Sequence, residues 1–310
     1  MIQMIIRSER MEKYIVFDIG GSAIKYGLVD GSGEILMNNK VITPRTWEEM
    51  AEKIDKVIVE YRDEISGVAV SAPGRIDVDE GIIYLGGALP YLHEVNIRKH
   101  FSDNYDLPAT VVNDGKAAAQ AELWVGNLKG VDHAAAIALG TGIGGAVVVD
   151  GKVQQGRNFV AGEFSSMIPT EEPLYNNLAT TNSSVRLVAE LADMIGLPNK
   201  ADGEGVFEVV TSRENEEVNE HFAAYCKRLA IFMCNLQVIL DISHVVIGGG
   251  ISNQPVLLEE LNNQYDIIRA KQPAFKETFL PLNILPCKFS NNANLLGALY
   301  QLLLTEGKLN

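Results

Sequence analysis

The stretch HAAAIALGTGIGGAVVVDGKV, residues 133–153, repeats the arrangement of YIVFDIGGSAIKYGLVDGSGEIL at residues 14–36. Each stretch contains an apolar run, a glycine cluster, a second apolar run and an Asp-Gly turn. Apolar runs joined by glycine turns are typical of β-hairpins. The sequence therefore predicts two copies of one strand–turn–strand device, one in each half of the chain.

The length and composition suit a globular protein built from two lobes. The chain has 310 residues, of which 47% are hydrophobic and 21% charged, and its formal net charge is −14. A chain of this length is long for one hydrophobic core. The acidic balance argues against a nucleic-acid-binding surface. No apolar run approaches 18 residues and the start lacks a signal-peptide pattern, so we expect a cytoplasmic protein without a transmembrane helix.

Between and after the two hairpins, apolar periodicity predicts alternating helices and strands. The predicted helices lie at 47–60, 96–104, 116–125, 183–195, 217–240 and 257–268, and further strands lie at 67–71, 109–112, 244–247 and 284–287. This alternation is typical of the α/β class. We expect an N-terminal lobe over 1–115, completed by a C-terminal helix at 294–310, and a C-terminal lobe over 116–293.

The second glycine cluster, residues 140–145, fits the pattern GxGxxG but not its usual context. A dinucleotide-binding site needs a helix directly after the glycines, whereas residues 146–149 predict a strand. A tight turn explains one or two glycines, but four among six residues indicate that another group approaches the backbone closely. Backbone amides at Gly140 and Gly142, together with the Thr141 hydroxyl, would form a phosphate cradle.

The first cluster, DIGGS at 18–22, repeats this cradle, and a carboxylate, Asp18, precedes its glycines. A carboxylate suits a Mg²⁺ ion held through water, so Asp18 is the candidate metal residue, and Gly20, Gly21 and Ser22 are candidates for binding phosphate. Lys25 in the following strand either meets phosphate or is solvated. Two lobes whose glycine turns face a shared cleft would hold a nucleotide and a sugar between them, as in the actin-like ATPase and sugar-kinase (ribonuclease H-like) fold.

The pair Asn113-Asp114 stands between a predicted strand and a predicted helix. The simpler interpretation is a helix N-cap. The chemical interpretation is a general base, because phosphoryl transfer to an alcohol needs a carboxylate that accepts the hydroxyl proton. Asn113 would then donate a hydrogen bond to a neighbouring sugar hydroxyl.

Five ordered motifs resemble the ROK (repressor, open reading frame, kinase) family of bacterial sugar kinases. They are DIGGS at 18–22, APGRID at 72–77, VVNDGKAAAQAE at 111–122, LGTGIGGAVVVDG at 139–151 and VVIGGGIS at 245–252. The resemblance covers nearly the whole chain. It implies a kinase that uses ATP and Mg²⁺ to phosphorylate a sugar, and it also implies a homodimer.

The resemblance assigns roles to individual residues. Asp114 would be the catalytic base and Asp18 would serve the metal. Glu163 in AGEFSSM, residues 161–167, matches the sugar-binding glutamate of the family motif Gly-Glu-x-Gly-His-Met. The remaining assignments are sugar binding by Asn113 and Gly74, phosphate binding by Gly140, Thr141 and Gly142, and contact with adenine or ribose by Gly249 and Gly250.

The segment 161–167 also departs from the family pattern. Ser165 replaces the glycine and Ser166 replaces the histidine. The cysteine-rich zinc loop that follows in the family is absent, so no zinc is expected there. The glutamate after that loop is replaced by Asn176 or a neighbour.

These departures bear on which sugar is bound. A serine is smaller than a histidine, so Ser166 would leave more room near C1 of the sugar. This favours phosphorylation of the 6-hydroxyl of a β-glucoside such as cellobiose, as in the zinc-free β-glucoside kinases of the family. Glucose, fructose and N-acetylmannosamine remain alternatives. In GGALPYLHEV, residues 86–95, Tyr91 and His93 are candidates to face the sugar, and ordinary loop packing is the alternative for each.

Two functions from other classes explain the sequence less well than a kinase does. The family contains repressors with an N-terminal helix-turn-helix domain, but the few residues before Asp18 leave no room for one, and the net charge opposes DNA binding. A sugar-binding protein that has lost catalysis would explain the altered 161–167 segment. It would not explain a retained base, a metal carboxylate and two glycine turns.

Overall fold

The computed structural model describes residues 11–169, 176–289 and 292–309. The strands are β1 (Lys13–Ile19), β2 (Ala23–Asp30), β3 (Ile35–Ile42), β4 (Val68–Ala72), β5 (Arg75–Asp77), β6 (Ile82–Tyr84), β7 (Val95–Asn96), β8 (Ala109–Asn113), β9 (Ala134–Leu139), β10 (Ile143–Val149), β11 (Lys152–Val153), β12 (His244–Gly249) and β13 (Asn283–Pro286). The helices are α1 (Trp47–Tyr61), α2 (Ile97–Tyr105), α3 (Asp114–Val125), α4 (Leu178–Asn182), α5 (Ser184–Met194), α6 (Gly203–Ser212), α7 (Glu216–Leu240), α8 (Pro255–Lys271), α9 (Pro273–Thr278) and α10 (Ala293–Thr305). Short 3-10 turns lie at Pro90–Leu92 and Phe164–Ser166.

Two compact units divide the chain. Unit 1 comprises Met1–Ala121 and Asn292–Asn310, and unit 2 comprises Glu122–Asn291. Their five-stranded sheets have the orders β3-β2-β1-β4-β8 and β11-β10-β9-β12-β13. In each sheet an antiparallel hairpin is followed by two strands that run parallel to its first strand. The two sheets therefore share one topology, which confirms the two-lobed α/β fold predicted from the repeated hairpin.

The core of unit 1 lies between its sheet and the helices packed on it. Helix α1 begins after Thr46, whose hydroxyl accepts a hydrogen bond from the backbone N–H of Glu49 at 3.3 Å. Helix α10 packs against β1, β4 and β8 through buried leucines. It also lies directly on α3, because a side chain at Gly297 would overlap the carbonyl oxygen of Ala117. The last helix thus belongs to the first unit.

The core of unit 2 is built around α7. Helix α7 begins after Asn215, whose side chain accepts a hydrogen bond from the backbone N–H of Val218. Its Phe232 packs edge-on against Phe164, with ring centroids 5.0 Å apart. By length and composition α7 would be able to cross a membrane, although no such helix was expected from the sequence. Half of its most apolar window is buried inside the protein, which is the packing of a core helix.

The boundary between the units falls inside α3, after Ala121, rather than at its start where the sequence placed it. The first part of α3 belongs to unit 1, where Gln120 donates a hydrogen bond to Gln301 of α10. The next residue, Glu122, is fully buried, and its carboxylate accepts hydrogen bonds from the backbone N–H groups of Lys288 and Phe289 in unit 2. The two parts of this helix therefore bond to different units, and no local sequence signal marks the boundary between Ala121 and Glu122.

Several short elements were not predicted. Strands β5, β6 and β7 form a separate three-stranded sheet in unit 1, with two or three residues in each strand. Helices α4 and α9 have five and six residues, and α6 starts with two glycines in its first three residues. The short strands and the helices of five and six residues carry too few residues for a periodic pattern to appear. In α6 the two glycines lower the helix propensity of the first turn.

Candidate active site

In unit 1, the predicted site residues lie at one edge of the sheet. Strands β1, β4 and β8 are parallel, and their register pairs Asp18 with Ser71 and Ala72 with Asn113. The carboxyl ends of these strands therefore meet at the same edge, which is where α/β sheets bind ligands. The side-chain amide of Asn113 donates to the carbonyl oxygen of Gly74 at 3.0 Å, so Asn113 and the 72–77 loop are brought together.

The structure shows which of Asn113 and Asp114 caps helix α3. The side-chain oxygen of Asn113 accepts from the backbone N–H of Lys116 at 3.2 Å, so Asn113 is the residue that caps α3. Asp114 is exposed, and its carboxylate accepts from the backbone N–H of Gly115 at 2.8 Å. The carboxylate of Asp114 is therefore not needed as the helix cap and is accessible to a substrate hydroxyl.

Asp18 is largely buried, and its carboxylate is oriented by two neighbours. The side-chain amide of Asn294 donates to Oδ1 at 2.9 Å, and Nζ of Lys25 lies 3.9 Å from Oδ2. Lys25 therefore pairs with the carboxylate, a third possibility beyond phosphate contact and simple solvation. Asn294 was missed because it is the second residue of α10, far along the chain, and a single asparagine in an apolar helix carries no functional signal.

The first glycine turn is held by backbone and hydroxyl contacts within unit 1. The N–H of Gly20 donates to the carbonyl oxygen of Ala23, and the hydroxyl of Thr43 donates to the carbonyl oxygen of Gly20 at 2.6 Å. A Cβ at Gly21 would meet only ordinary van der Waals contact, so the protein itself does not require glycine there. Ser22 is exposed at the tip of the turn.

Tyr91 and His93 are placed differently from each other. The hydroxyl of Tyr91 donates to the carbonyl oxygen of Pro44 at 2.6 Å, and its ring packs on the core of unit 1. These are the contacts of ordinary loop packing, and a sugar contact by Tyr91 stays a prediction. His93 is exposed, and its Nδ1 accepts from the backbone N–H of Leu85. A sugar contact by His93 stays a prediction.

In unit 2, the second glycine cluster, residues 140–145, and the glycines at 248–250 come together at the end of the sheet. The register of β12 on β9 pairs Gly249 with Leu139, the residue before Gly140. Gly249 has φ +102° and a side chain there would overlap Leu139, so the fold itself requires this glycine. At Gly140 the nearest atom to an added Cβ is 4.0 Å away, and at Gly250 nothing lies within 4 Å. These two glycines leave open space that suits a ligand approaching the backbone.

The segment 161–167 lies beside the second glycine turn. Its 3-10 turn, Phe164–Ser166, is anchored by the buried ring of Phe164. Glu163 and Ser166 are exposed, as a contact with sugar would require. Ser165 is directed inward instead: its hydroxyl accepts from the N–H of Ile143 at 2.9 Å and lies 3.2 Å from the carbonyl oxygen of the same residue. The sequence showed Ser165 only as a departure from a pattern, with no role.

The residues available for a metal are few. Within residues 11–169, 176–289 and 292–309, no three His, Cys, Asp or Glu side chains are clustered to hold a metal ion. A Mg²⁺ ion bound through water and phosphate oxygens needs only one or two carboxylates, and Asp18 fits that role. The segment that replaces the zinc loop includes 170–175, which lie outside the described residues. The expected absence of zinc stays a prediction, which elemental analysis of the purified protein would check.

The three cysteines are free thiols in positions unsuited to chemistry. Burial raises the pKa of Cys234 to about 11 and that of Cys287 to about 12, and it raises the pKa of Cys226 further. A thiol with so high a pKa is neither a good nucleophile nor a good metal ligand.

Comparison with known proteins gives consistent matches over the whole length. A sequence model of the ROK family matches residues 14–305. A beta-glucoside kinase from Listeria monocytogenes is 28% identical, and the match covers 96% of this chain and 99% of that protein. The crystal structure of a ROK family protein from Streptococcus pneumoniae in complex with sucrose has a TM-score of 0.84 at 26% identity, over 96% of this chain and 100% of the other. A ROK family glucokinase from Streptomyces griseus, in complex with glucose and AMPPNP, has a TM-score of 0.72 at 24% identity, over 92% and 97%, and shares the fold.

Proposed function

This chain belongs to the ROK family and is a carbohydrate kinase, and we propose that it transfers the γ-phosphoryl group of ATP to the 6-hydroxyl of a β-glucoside such as cellobiose. The proposed base and metal carboxylate belong to unit 1, and the proposed phosphate turn and the 161–167 sugar segment belong to unit 2.

Asp114 is the proposed general base. As the sugar O6 attacks the γ-phosphorus, the O6 proton passes to the carboxylate of Asp114, the bond to the bridging oxygen of ADP breaks, and ADP leaves. The support is that Asp114 is exposed while Asn113 performs the capping of α3. Asn113 also holds the carbonyl oxygen of Gly74, so it orders the loop beside the base.

The proposed nucleotide contacts come from the Gly140–Gly142 turn, from Gly250 and, through Mg²⁺, from Asp18. The backbone amides of Thr141 and Gly142 would bind phosphate oxygens, since the N–H of Gly140 already bonds to the carbonyl oxygen of Gly142. Gly250 would lie against adenosine, because an added Cβ at Gly250 would meet open space. Asp18, fixed by Asn294 and Lys25, would hold the water shell of Mg²⁺. When bound, Mg²⁺ would neutralise charge that develops on the phosphate oxygens.

The proposal of a glycoside substrate rests on Ser166. It is an exposed serine on the Phe164–Ser166 turn, at the position where the family pattern has a histidine. The smaller side chain would leave room for a substituent on the anomeric oxygen. The similarity to a beta-glucoside kinase and to a ROK protein that binds sucrose, a disaccharide, supports the same choice.

The test of this choice is kcat/KM for a panel of sugars. We expect the purified protein to prefer cellobiose or an aryl β-glucoside over glucose, mannose, fructose and N-acetylmannosamine by about tenfold or more, which is roughly 1.4 kcal/mol in transition-state binding. Sugar-dependent release of ADP from ATP is the measurement, with ATP alone as the blank.

A matched variant sharpens the test. Ser166→His restores the bulkier side chain, so it should lower kcat/KM for the β-glucoside more than for free glucose. A tenfold preference of the wild type for any free monosaccharide would contradict the glycoside proposal, while the kinase assignment would stand.

A further inference from the structure

We propose that Ser165, Ser183 and Ser184 form a hydroxyl clamp that fixes the Gly140–Gly142 turn in the conformation that receives nucleotide phosphates. The inference rests on the proposed function, in which this turn binds ATP. All three serines are positioning residues, because they act on the turn and not on the substrate.

Ser165 holds the end of the turn from one side. Its hydroxyl accepts from the N–H of Ile143 at 2.9 Å and is 3.2 Å from the carbonyl oxygen of Ile143, so one group satisfies both polar atoms of the residue that follows the turn. The hydroxyl also fills the space beside Gly142, where an added Cβ would lie 2.5 Å from Oγ. The buried ring of Phe164 fixes the segment that carries Ser165.

Ser183 and Ser184 hold the start of the turn from the beginning of α5. The carbonyl oxygen of Gly140 accepts from the N–H of Ser184 at 3.0 Å, and the hydroxyls of Ser183 and Ser184 lie 3.3 and 3.2 Å from the same oxygen. Ser183 also caps α5 by accepting from the N–H of Arg186. The helix therefore delivers both hydroxyls at a fixed place.

The clamp matters because carbonyl oxygens repel phosphate. The carbonyl oxygen of Gly140 is engaged by the serines, and the carbonyl oxygen of Gly142 accepts from the N–H of Gly140 at 3.0 Å. With these acceptors engaged by donors from the protein, the turn can present its remaining amides, those of Thr141 and Gly142, to an anion. Without the serines, the glycines would be free to rotate the same carbonyls toward the ligand.

The first glycine turn contains the same device in unit 1. The N–H of Gly20 bonds within its turn, and the carbonyl oxygen of Gly20 accepts from the hydroxyl of Thr43 at 2.6 Å. In both units a hydroxyl from outside the turn thus holds the carbonyl of the first glycine. The two turns share little sequence beyond their glycines, so this recurrence indicates a requirement of the turn itself.

Nucleotide affinity measured without sugar tests the clamp. We expect Ser165→Ala, and separately the double variant Ser183→Ala/Ser184→Ala, to raise the Kd for AMPPNP with Mg²⁺ by about tenfold in isothermal titration calorimetry, within the range for losing two or three hydrogen bonds. The KM for the preferred sugar should stay within about twofold, because the clamp acts on the phosphate side. Ser212→Ala is the control, since the hydroxyl of Ser212 bonds within its own helix to Val209.

An unchanged Kd in both clamp variants would overturn the inference. So would parallel losses of nucleotide affinity, sugar affinity and thermal stability, which indicate a general structural role. If Ser165→Ala fails to fold, Ser165→Gly and the double variant provide the measurement, and failure of all three to fold would also assign these serines to the fold alone. A wild-type protein that binds AMPPNP but phosphorylates no sugar would overturn the proposed function, and the clamp proposal would stand.

Discussion

Replacing Asp114 by asparagine is expected to lower kcat by about a thousandfold, because general bases typically contribute 10²–10⁴ to the rate. Asparagine keeps the size of the side chain, and its side-chain oxygen can still accept from the N–H of Gly115. It cannot take the proton of O6. The KM for the sugar should change little, since proton acceptance stabilises the transition state and not the bound ground state. Initial rates of ADP release at saturating sugar give kcat directly.

The matched control is Asp103→Asn, which removes an exposed carboxylate from α2 in the same unit. Its kcat should stay within about twofold of the wild type, as is usual for an exposed substitution away from the site. A near-normal kcat for Asp114→Asn would remove Asp114 from the mechanism.

The second large effect is on folding. Gly297→Ala should destabilise the protein by about 3 kcal/mol or more, at or above the usual range for an overpacked core. The added Cβ would lie closer than 3.0 Å to the carbonyl oxygen, carbonyl carbon and Cα of Ala117. These are backbone atoms of a helix and cannot move aside singly, so α10 would have to shift from α3. Urea unfolding followed by circular dichroism measures the change.

Gly203→Ala is the control for that substitution. Gly203 is the first residue of α6, and an added Cβ there meets no atom within 4 Å. Its unfolding midpoint should stay equal to or rise slightly above that of the wild type, since alanine restricts the unfolded chain. A Gly297→Ala protein that unfolds at the wild-type urea concentration would show that α10 does not lie on α3 as described.

The fold was predictable because its signals are local. Each hairpin is contained in about twenty consecutive residues, so apolar alternation and glycine turns suffice to identify it. The same holds for α7, whose apolar face extends over the whole helix. The unit boundary inside α3 was not predictable, because it depends on Glu122 bonding to backbone more than 160 residues away.

The candidate site likewise has a part that could be predicted and a part that could not. The glycine turns and the Asn113-Asp114 pair are visible as short motifs, but the residues that orient them are not. Asn294 reaches Asp18, and Ser165 reaches Ile143, across long separations in the chain. Such partners have no sequence pattern of their own, and only the folded chain brings them together. For Tyr91 the sequence left loop packing and a sugar contact open, and the folded chain shows its hydroxyl bonded to the carbonyl oxygen of Pro44.

Phosphoryl transfer from ATP to a primary hydroxyl of a sugar can be followed on this protein by phosphorus-31 NMR. The sample contains wild-type protein, ATP, Mg²⁺ and cellobiose, and spectra are recorded with time. We expect ADP and a phosphomonoester in equal amounts, with the phosphorus coupled to the two protons on C6 of the non-reducing glucose. ADP accompanied by inorganic phosphate in place of a sugar phosphate, or ATP left intact with cellobiose and with every sugar of the panel, would contradict this expectation.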